Sequence, residues 1–345
     1  MKKIIFIALI FSLSIFASAC GNNAINEVQS EDFALDTIIN QAVYGENAQE
    51  AVDAVSAEIN SLDDLWSIES NTGDTVKINS NAGQDYVEVD PKTILLLQEA
   101  KKISELSDGA ALDITVAPIV NAWGICSDDP RIPSANEIND LLPFINYNDV
   151  LIDEENSTVM LQREGQKIDL GGIAKGYIGD LAIDIYKEYG ITSAFINLGG
   201  NVVVLGNKPD GSSWKVGVQD PRGDTSDIIG YVEVCDQAVV TSGDYQRYFI
   251  EDGKRYCHII DPTTGYPIDN DLMSVTVITS SSADADGLAK AIVLGLDDGM
   301  AFIEAYDGAE AIFITTDKEI YVTEGLNDTF HFEDTKNEYT YVQNR

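Results

Sequence analysis

The sequence predicts an α+β fold, and three observations predict it. Up to about residue 145, apolar residues recur at three- and four-residue steps, the period of a helix buried on one face. From Asp149 onward they run in short strand-like stretches, with helical patterns interspersed but no strict βαβ alternation. Glycine-bearing turns join many of these stretches, as they do where a backbone must turn sharply or let a ligand approach.

The N-terminus reads as a targeting segment rather than fold. Lys2 and Lys3 precede an apolar run from Ile4 to Ala17, short for a membrane span and suited to a signal peptide. "FASAC" then places small residues before Cys20, which resembles a bacterial lipobox with Ala17 at the position usually held by leucine. Residues 1–19 are therefore expected to be a signal peptide. Residues 20–36 are expected to be a lipidated N-terminus and polar tether, anchored through Cys20 to an extracytoplasmic membrane face. Residues 37–345 form the body, long enough for one large domain or two intertwined lobes.

Within the body, Ala51, Val52, Val55, Ile59, Leu62 and Leu65 mark a helix over Asn47–Leu65. A second helix spans Pro91–Leu106, with Asp90 as cap and proline at its first position. Ser134 and Glu137 form a capping-box signature for a third. "DVLIDEENSTVMLQ" predicts a hairpin turning at Glu154–Ser157. "GIAKGYIGDLAIDIYKEYG" predicts a helix stopped by Gly190, and "SAFINLGGNVVVLG" a strand, a glycine turn and a strand. "SWKVGVQDP", "GYVEVCDQAVVTSG", "QRYFIEDGKRYCHII" and "MSVTVITSS" supply further strands, "SADADGLAKAIVLGL" a small-residue helix, and "AIFITTDKEIYVTEG" a last hairpin.

Composition narrows function. The chain is 44% hydrophobic, so it can build a core, and its formal net charge is −37. Nucleic acid and anionic lipid surfaces are poor partners for such a body. An anionic ligand would also be repelled unless a metal ion or a few placed cations met it. Cys126, Cys235 and Cys257 show no zinc spacing and are expected to be buried apolar thiols, with one disulfide and a free thiol as the alternative.

Four glycine-bearing stretches carry possible chemistry: "IDLGGIAKGYIGD", "INLGGNVVVLG", "VVTSGDYQRYF" and "HIIDPTTGYP". In the first, Gly171 and Gly172 precede a helix start, where free N–H groups and the helix dipole favour an anion, and Lys175 adds a cation. Asp284 and Asp286 near a helix start are either carboxylates favoured by the dipole or oxygen ligands holding Mg²⁺ against a phosphate. One of only two histidines, His258, sits beside the rigid turn of the last stretch.

These stretches, with "LSDGAALDITVAPIVNAWG" and "ADADGLAKAIVLG", occur in an order that resembles the ApbE-type FAD:protein FMN transferases, from about Tyr44 to Gly325. The resemblance implies a two-lobed, T-fold-like α+β architecture with FAD in the cleft between the lobes. It implies Mg²⁺-dependent transfer of FMN from FAD to a threonine or serine hydroxyl of an acceptor protein, with release of AMP. The acceptor would be a membrane redox subunit or extracellular flavoprotein carrying a flavinylation motif. Hydrolysis of FAD to FMN and AMP, or FAD binding without catalysis, are the alternatives.

Residue by residue, the resemblance places Ala111, Leu112 and Asp113 against FAD, with Gly171, Gly172, Lys175 and the Thr241–Ser242–Gly243 turn lining the same cleft. It makes the Ala174 carbonyl and Asp286 metal ligands and His258 the catalytic histidine, for which Asp261 is the expected orienting partner. The family's third ligand is usually a threonine four residues after the aspartate, and here that position is Lys290. An ammonium cannot ligate a cation, so either Asp284 or water completes the metal site or Lys290 itself faces the phosphates. A nucleotide-facing tyrosine of some members is replaced by Glu69, leaving Tyr44 and Trp66 as candidates to stack on the flavin.

Overall fold

A computed structural model describes residues 26–68 and 70–342. The signal segment, Cys20 and Glu69 lie outside the described residues. The helices are α1 (Ala48–Trp66), α2 (Asp74–Ser80), α3 (Pro91–Leu106), α4 (Ala117–Trp123), α5 (Ala135–Leu141), α6 (Ala174–Glu188), α7 (Ser282–Leu288) and α8 (Leu296–Glu304). The strands are β1 (Glu27–Ala34), β2 (Thr37–Tyr44), β3 (Val87–Glu88), β4 (Val150–Asp153), β5 (Thr158–Leu161), β6 (Ser193–Leu198), β7 (Asn201–Leu205), β8 (Trp214–Gln219) and β9 (Ile228–Val234). They continue as β10 (Ala238–Gly243), β11 (Tyr248–Glu251), β12 (Lys254–Cys257), β13 (Leu272–Thr279), β14 (Glu310–Thr315), β15 (Glu319–Val322), β16 (Phe330–Phe332) and β17 (Thr340–Tyr341).

Nine strands make one sheet in the order β1-β2-β6-β7-β10-β13-β14-β15-β17, antiparallel except where β17 joins β15. Its central strands are buried on both faces, which is why they read as unbroken apolar runs. Val203, Val240, Val277 and Phe313 face a core shared with helices α1, α3 and α6. Val202, Val239, Ile278 and Ile312 face the opposite way, onto a core shared with the small sheet β16-β9-β8. The period-2 alternation of strand side chains thus divides one sheet between two cores.

Local signals explain the helix starts. Asp90 accepts from the Lys92 N–H at 2.8 Å and Pro91 opens α3. Ser134 accepts from the Glu137 N–H at 3.2 Å, but Glu137 gives its carboxylate to Arg131, so only half of the capping box forms. The small-residue helix is shorter than expected: α7 ends at Leu288 and the chain continues as a 3₁₀ segment over Ala289–Leu294.

Two expectations are corrected. The outer half of the expected tether is structured, because Glu27–Ala34 pairs along its whole length with β2. Its polar sequence hid it: β1 is an edge strand, exposed along most of its length, with no apolar face to alternate. The cysteines are free, but only Cys257 is buried, while Cys235 is half-buried and Cys126 exposed.

Candidate active site

The site is built on a reciprocal exchange between α6 and α7. Asp180, on α6, accepts from the N–H groups of Ser282 and Ala283 at 2.7 and 2.9 Å and from the Ser281 hydroxyl, capping α7. Asp286, on α7, returns the bond: its Oδ2 accepts from the Gly176 N–H in the first turn of α6 at 3.0 Å. The helices can approach this closely because residue 176 is glycine. A Cβ there would lie 2.3 Å from the Ser282 carbonyl oxygen and 2.6 Å from the Asp286 Cβ.

Lys290 lies one turn beyond Asp286. Its Nζ donates to the Asp286 carbonyl oxygen at 2.9 Å, to Asp286 Oδ1 at 3.2 Å and to Ser242 Oγ at 3.3 Å. Burial lowers its pKa, as does the Lys175 ammonium, against the pull of Asp286. A Cβ on Gly172 would stand 3.4 Å from both Lys290 Cε and Leu112 Cδ1, so the double-glycine turn passes directly over this lysine. Lys175 follows in the first turn of α6, its Nζ on the Gly171 carbonyl oxygen at 3.2 Å.

His258 feels both ammonium groups. Burial first, then Lys175 and Lys290, push its pKa down to about 4, so the imidazole is neutral at ordinary pH. Its Nδ1 faces the Arg247 carbonyl oxygen at 3.3 Å, and its backbone N–H donates to the same oxygen at 2.9 Å. A carbonyl oxygen only accepts, so this contact favours the tautomer with the proton on Nδ1 and leaves Nε2 as the basic nitrogen. The following turn is fixed from below: Trp123 Nε1 donates to the Gly265 carbonyl oxygen at 2.8 Å, and Gly265 has φ +73°.

Several sequence-predicted residues are placed elsewhere. Asp261 does not orient His258. Its Oδ1 accepts from the Thr263 N–H and hydroxyl and its Oδ2 from the Thr264 hydroxyl, so the carboxylate holds its own turn. Asp284 does not join Asp286, because it pairs with Lys102 at 2.7 Å. Asp113 is buried and bonds the Thr115 N–H and hydroxyl and the Tyr147 N–H, so it fixes the loop rather than presenting its carboxylate to a ligand. Ala111 is likewise buried, its N–H on the Ser107 hydroxyl. Thr241 pairs with the Thr276 hydroxyl at 2.8 Å across the sheet. Gly243 leaves room for the Tyr245 ring, which a Cβ would meet at 2.3 Å. The two stacking candidates are also committed: Tyr44 packs near Trp214, and buried Trp66 donates to the Thr93 hydroxyl at 2.9 Å.

The residues gathered are therefore Leu112, Gly171, Gly172, Lys175, Ser242, Asp286, Lys290 and His258, around the start of α6. Sequence reasoning missed Arg247, whose carbonyl holds His258, and Asp180, whose signal is its place one turn after Gly176. The expected divalent-ion site on Ala174 and Asp286 does not fit this arrangement. One Asp286 oxygen is spent on Gly176 and the other faces the Lys290 ammonium.

Fold and site together define an α+β protein in which a double-glycine turn, two lysines and a neutral imidazole come together. The sequence model of the ApbE family matches residues 35–313, and the chain belongs to that family. A Klebsiella pneumoniae FAD:protein FMN transferase is 37% identical over 77% of this chain and 82% of its own. One from Treponema pallidum is 32% identical over 90% of this chain and 91% of its own. The crystal structure of an ApbE protein from Thermotoga maritima superposes with a TM-score of 0.81 at 35% identity, covering 87% of this chain and 98% of that one. A flavin transferase ApbE from Vibrio cholerae gives 0.80 at 28% identity, covering 89% and 100%.

Proposed function

We propose that the protein transfers FMN from FAD to a threonine or serine hydroxyl of an acceptor protein and releases AMP. The observation that carries this reading is the convergence of Lys175, Lys290 and a neutral His258 on the Gly171–Gly172 turn. In an acidic chain, two ammonium groups and a helix N-terminus are suited to a diphosphate.

The FAD diphosphate spans the glycine turn, with Lys175 and Lys290 countering its charge and the first N–H groups of α6 facing it. The acceptor hydroxyl attacks the FMN-side phosphorus. The bond from that phosphorus to the bridging oxygen breaks, and AMP leaves with the oxygen. His258 Nε2 takes the hydroxyl proton. Binding of the dianion offsets the part of the depression that Lys175 and Lys290 cause, so the imidazole pKa rises as substrate arrives, while burial still holds it below the ordinary range. The base is thereby strengthened by the substrate it serves. Magnesium dependence, which the family resemblance implies, is the part of the reaction this residue arrangement argues against. Lipidation at Cys20 would hold the enzyme at the outer membrane face, beside extracytoplasmic acceptors, and the Lys2–Cys20 pattern supports that placement.

The test is mass spectrometry of an acceptor bearing a flavinylation motif after incubation with protein and FAD. A mass gain of one FMN, with equimolar AMP, is the expected result. AMP with free FMN and an unmodified acceptor would instead assign FAD hydrolysis. Intact FAD in every buffer would leave only a binding protein.

A further inference from the structure

We propose that Lys290 is a built-in counter-cation for the FAD diphosphate, so that FAD binding and FMN transfer by this chain need no divalent metal ion. The inference rests on the flavin-transfer reading and specifies how its substrate is held.

Geometry carries it. The Lys290 ammonium is fixed by the Asp286 carbonyl oxygen, Asp286 Oδ1 and Ser242 Oγ, and its side chain is only 14% exposed. The overlying Gly172 has no side chain to cover it, and a Cβ there would be 3.4 Å from Lys290 Cε. A divalent ion on Asp286 Oδ1 would sit ~2.1 Å from that oxygen, as Mg²⁺ does on carboxylates. The ammonium is 3.2 Å from the same oxygen, so the two cations would stand at most about 5 Å apart, beside side chains that are largely buried. Asp286 cannot turn away to relieve this, because its second oxygen is anchored to the Gly176 N–H at 3.0 Å.

Lys290 puts a fixed positive charge where the ion would sit, and Lys175 adds a second at the same turn. They are attached to the chain, so placing them costs no binding of a free ion. Of the three bonds on Lys290, that to Ser242 Oγ is the longest at 3.3 Å, and it is the one a phosphate oxygen can replace. The ammonium then bridges Asp286 and the diphosphate.

The experiment titrates FAD into the intact protein, in EDTA and in excess Mg²⁺, reading flavin fluorescence quenching, with thermal melts as a folding check. For the native chain the two affinities should agree within about threefold, and FMN transfer should proceed in EDTA. Lys290→Met should weaken FAD binding by about tenfold or more in both buffers, the size of one lost charged contact. Lys290→Thr should bind FAD weakly in EDTA and recover at least tenfold with Mg²⁺. A native protein whose FAD affinity and transfer both require Mg²⁺, with Lys290→Thr behaving like it, would overturn the inference while leaving flavin transfer intact. No FAD affinity in either buffer would overturn both.

Discussion

The Asp286 carboxylate accepts the Gly176 N–H at 3.0 Å, a bond that joins the two helices behind the Gly171–Gly172 turn. It ties the helix that begins at the turn to the helix that leads into the 3₁₀ segment holding Lys290. Asp180 ties the same helices in the opposite sense. Substitutions at this contact therefore act on stability and on FAD affinity together.

Gly176→Ala should show this coupling most sharply. The new methyl would meet the Ser282 carbonyl oxygen at 2.3 Å, a backbone atom that cannot rotate away. Overpacking of this kind costs ~1–3 kcal/mol. A lower midpoint in denaturant unfolding should accompany weaker FAD binding. A variant with native stability would show that the helices separate freely.

Asp180→Ala removes the acceptor of two N–H groups in the first turn of α7 and of the hydroxyl of its N-cap, Ser281. Lost capping bonds cost ~0.5–2 kcal/mol, and here the helix carries Asp286 and leads into the 3₁₀ segment that holds Lys290. Thermal melting and FAD titration should both report the loss. Asp180→Asn, which keeps an acceptor oxygen, should restore part of each.

Asp284→Asn separates the two neighbouring aspartates. Asp284 pairs with Lys102, whose pKa rises mainly through its bonds to Asp284 and Tyr306, working against burial. Ion pairs at a surface contribute ~0–1 kcal/mol, so stability should change little and FAD affinity by less than about threefold. Asp286→Asn should instead weaken FAD binding about tenfold or more. Equal losses from both would contradict the division of roles.

His258 predicts a pH effect of known sign on stability. Its folded pKa of about 4 lies below the ordinary value near 6.5, so between these pH values the unfolded chain binds more protons. The stability contributed by this group is present above pH ~6.5 and is lost as pH falls toward ~4. In His258→Ala that part of the acid sensitivity should disappear, as chemical denaturation at a series of pH values would show. FMN transfer should be abolished in the same variant while FAD binding persists. Retained transfer would remove His258 from the reaction.

Much of this was legible in the sequence, for identifiable reasons. Helices α1 and α3 announced themselves through long apolar periods and, in α3, Asp90–Pro91. The central strands did so through unbroken β-branched runs. β1 was hidden because an exposed edge strand has no apolar face to reveal it. At the site, the ordered family motifs rather than residue type pointed to Lys175, Asp286 and His258. Spacing could not say which way a carboxylate points, and Asp284, Asp286 and Asp261 each found a different partner. The Lys290–Asp286 contact is a four-residue step that spacing allows, but the contact of Lys290 with Ser242 depends on β10 coming alongside, a pairing between distant parts of the chain.

The central claim is that a glycine turn and two lysines hold a dinucleotide's diphosphate. Calorimetric titration with FAD, set beside riboflavin, which has the same ring system and no phosphate, tests it most directly. The account predicts FAD binding at least about tenfold tighter than riboflavin binding, with the difference shrinking in Lys175→Met and Lys290→Met. Equal affinity for the two flavins, or no heat with FAD, would contradict it.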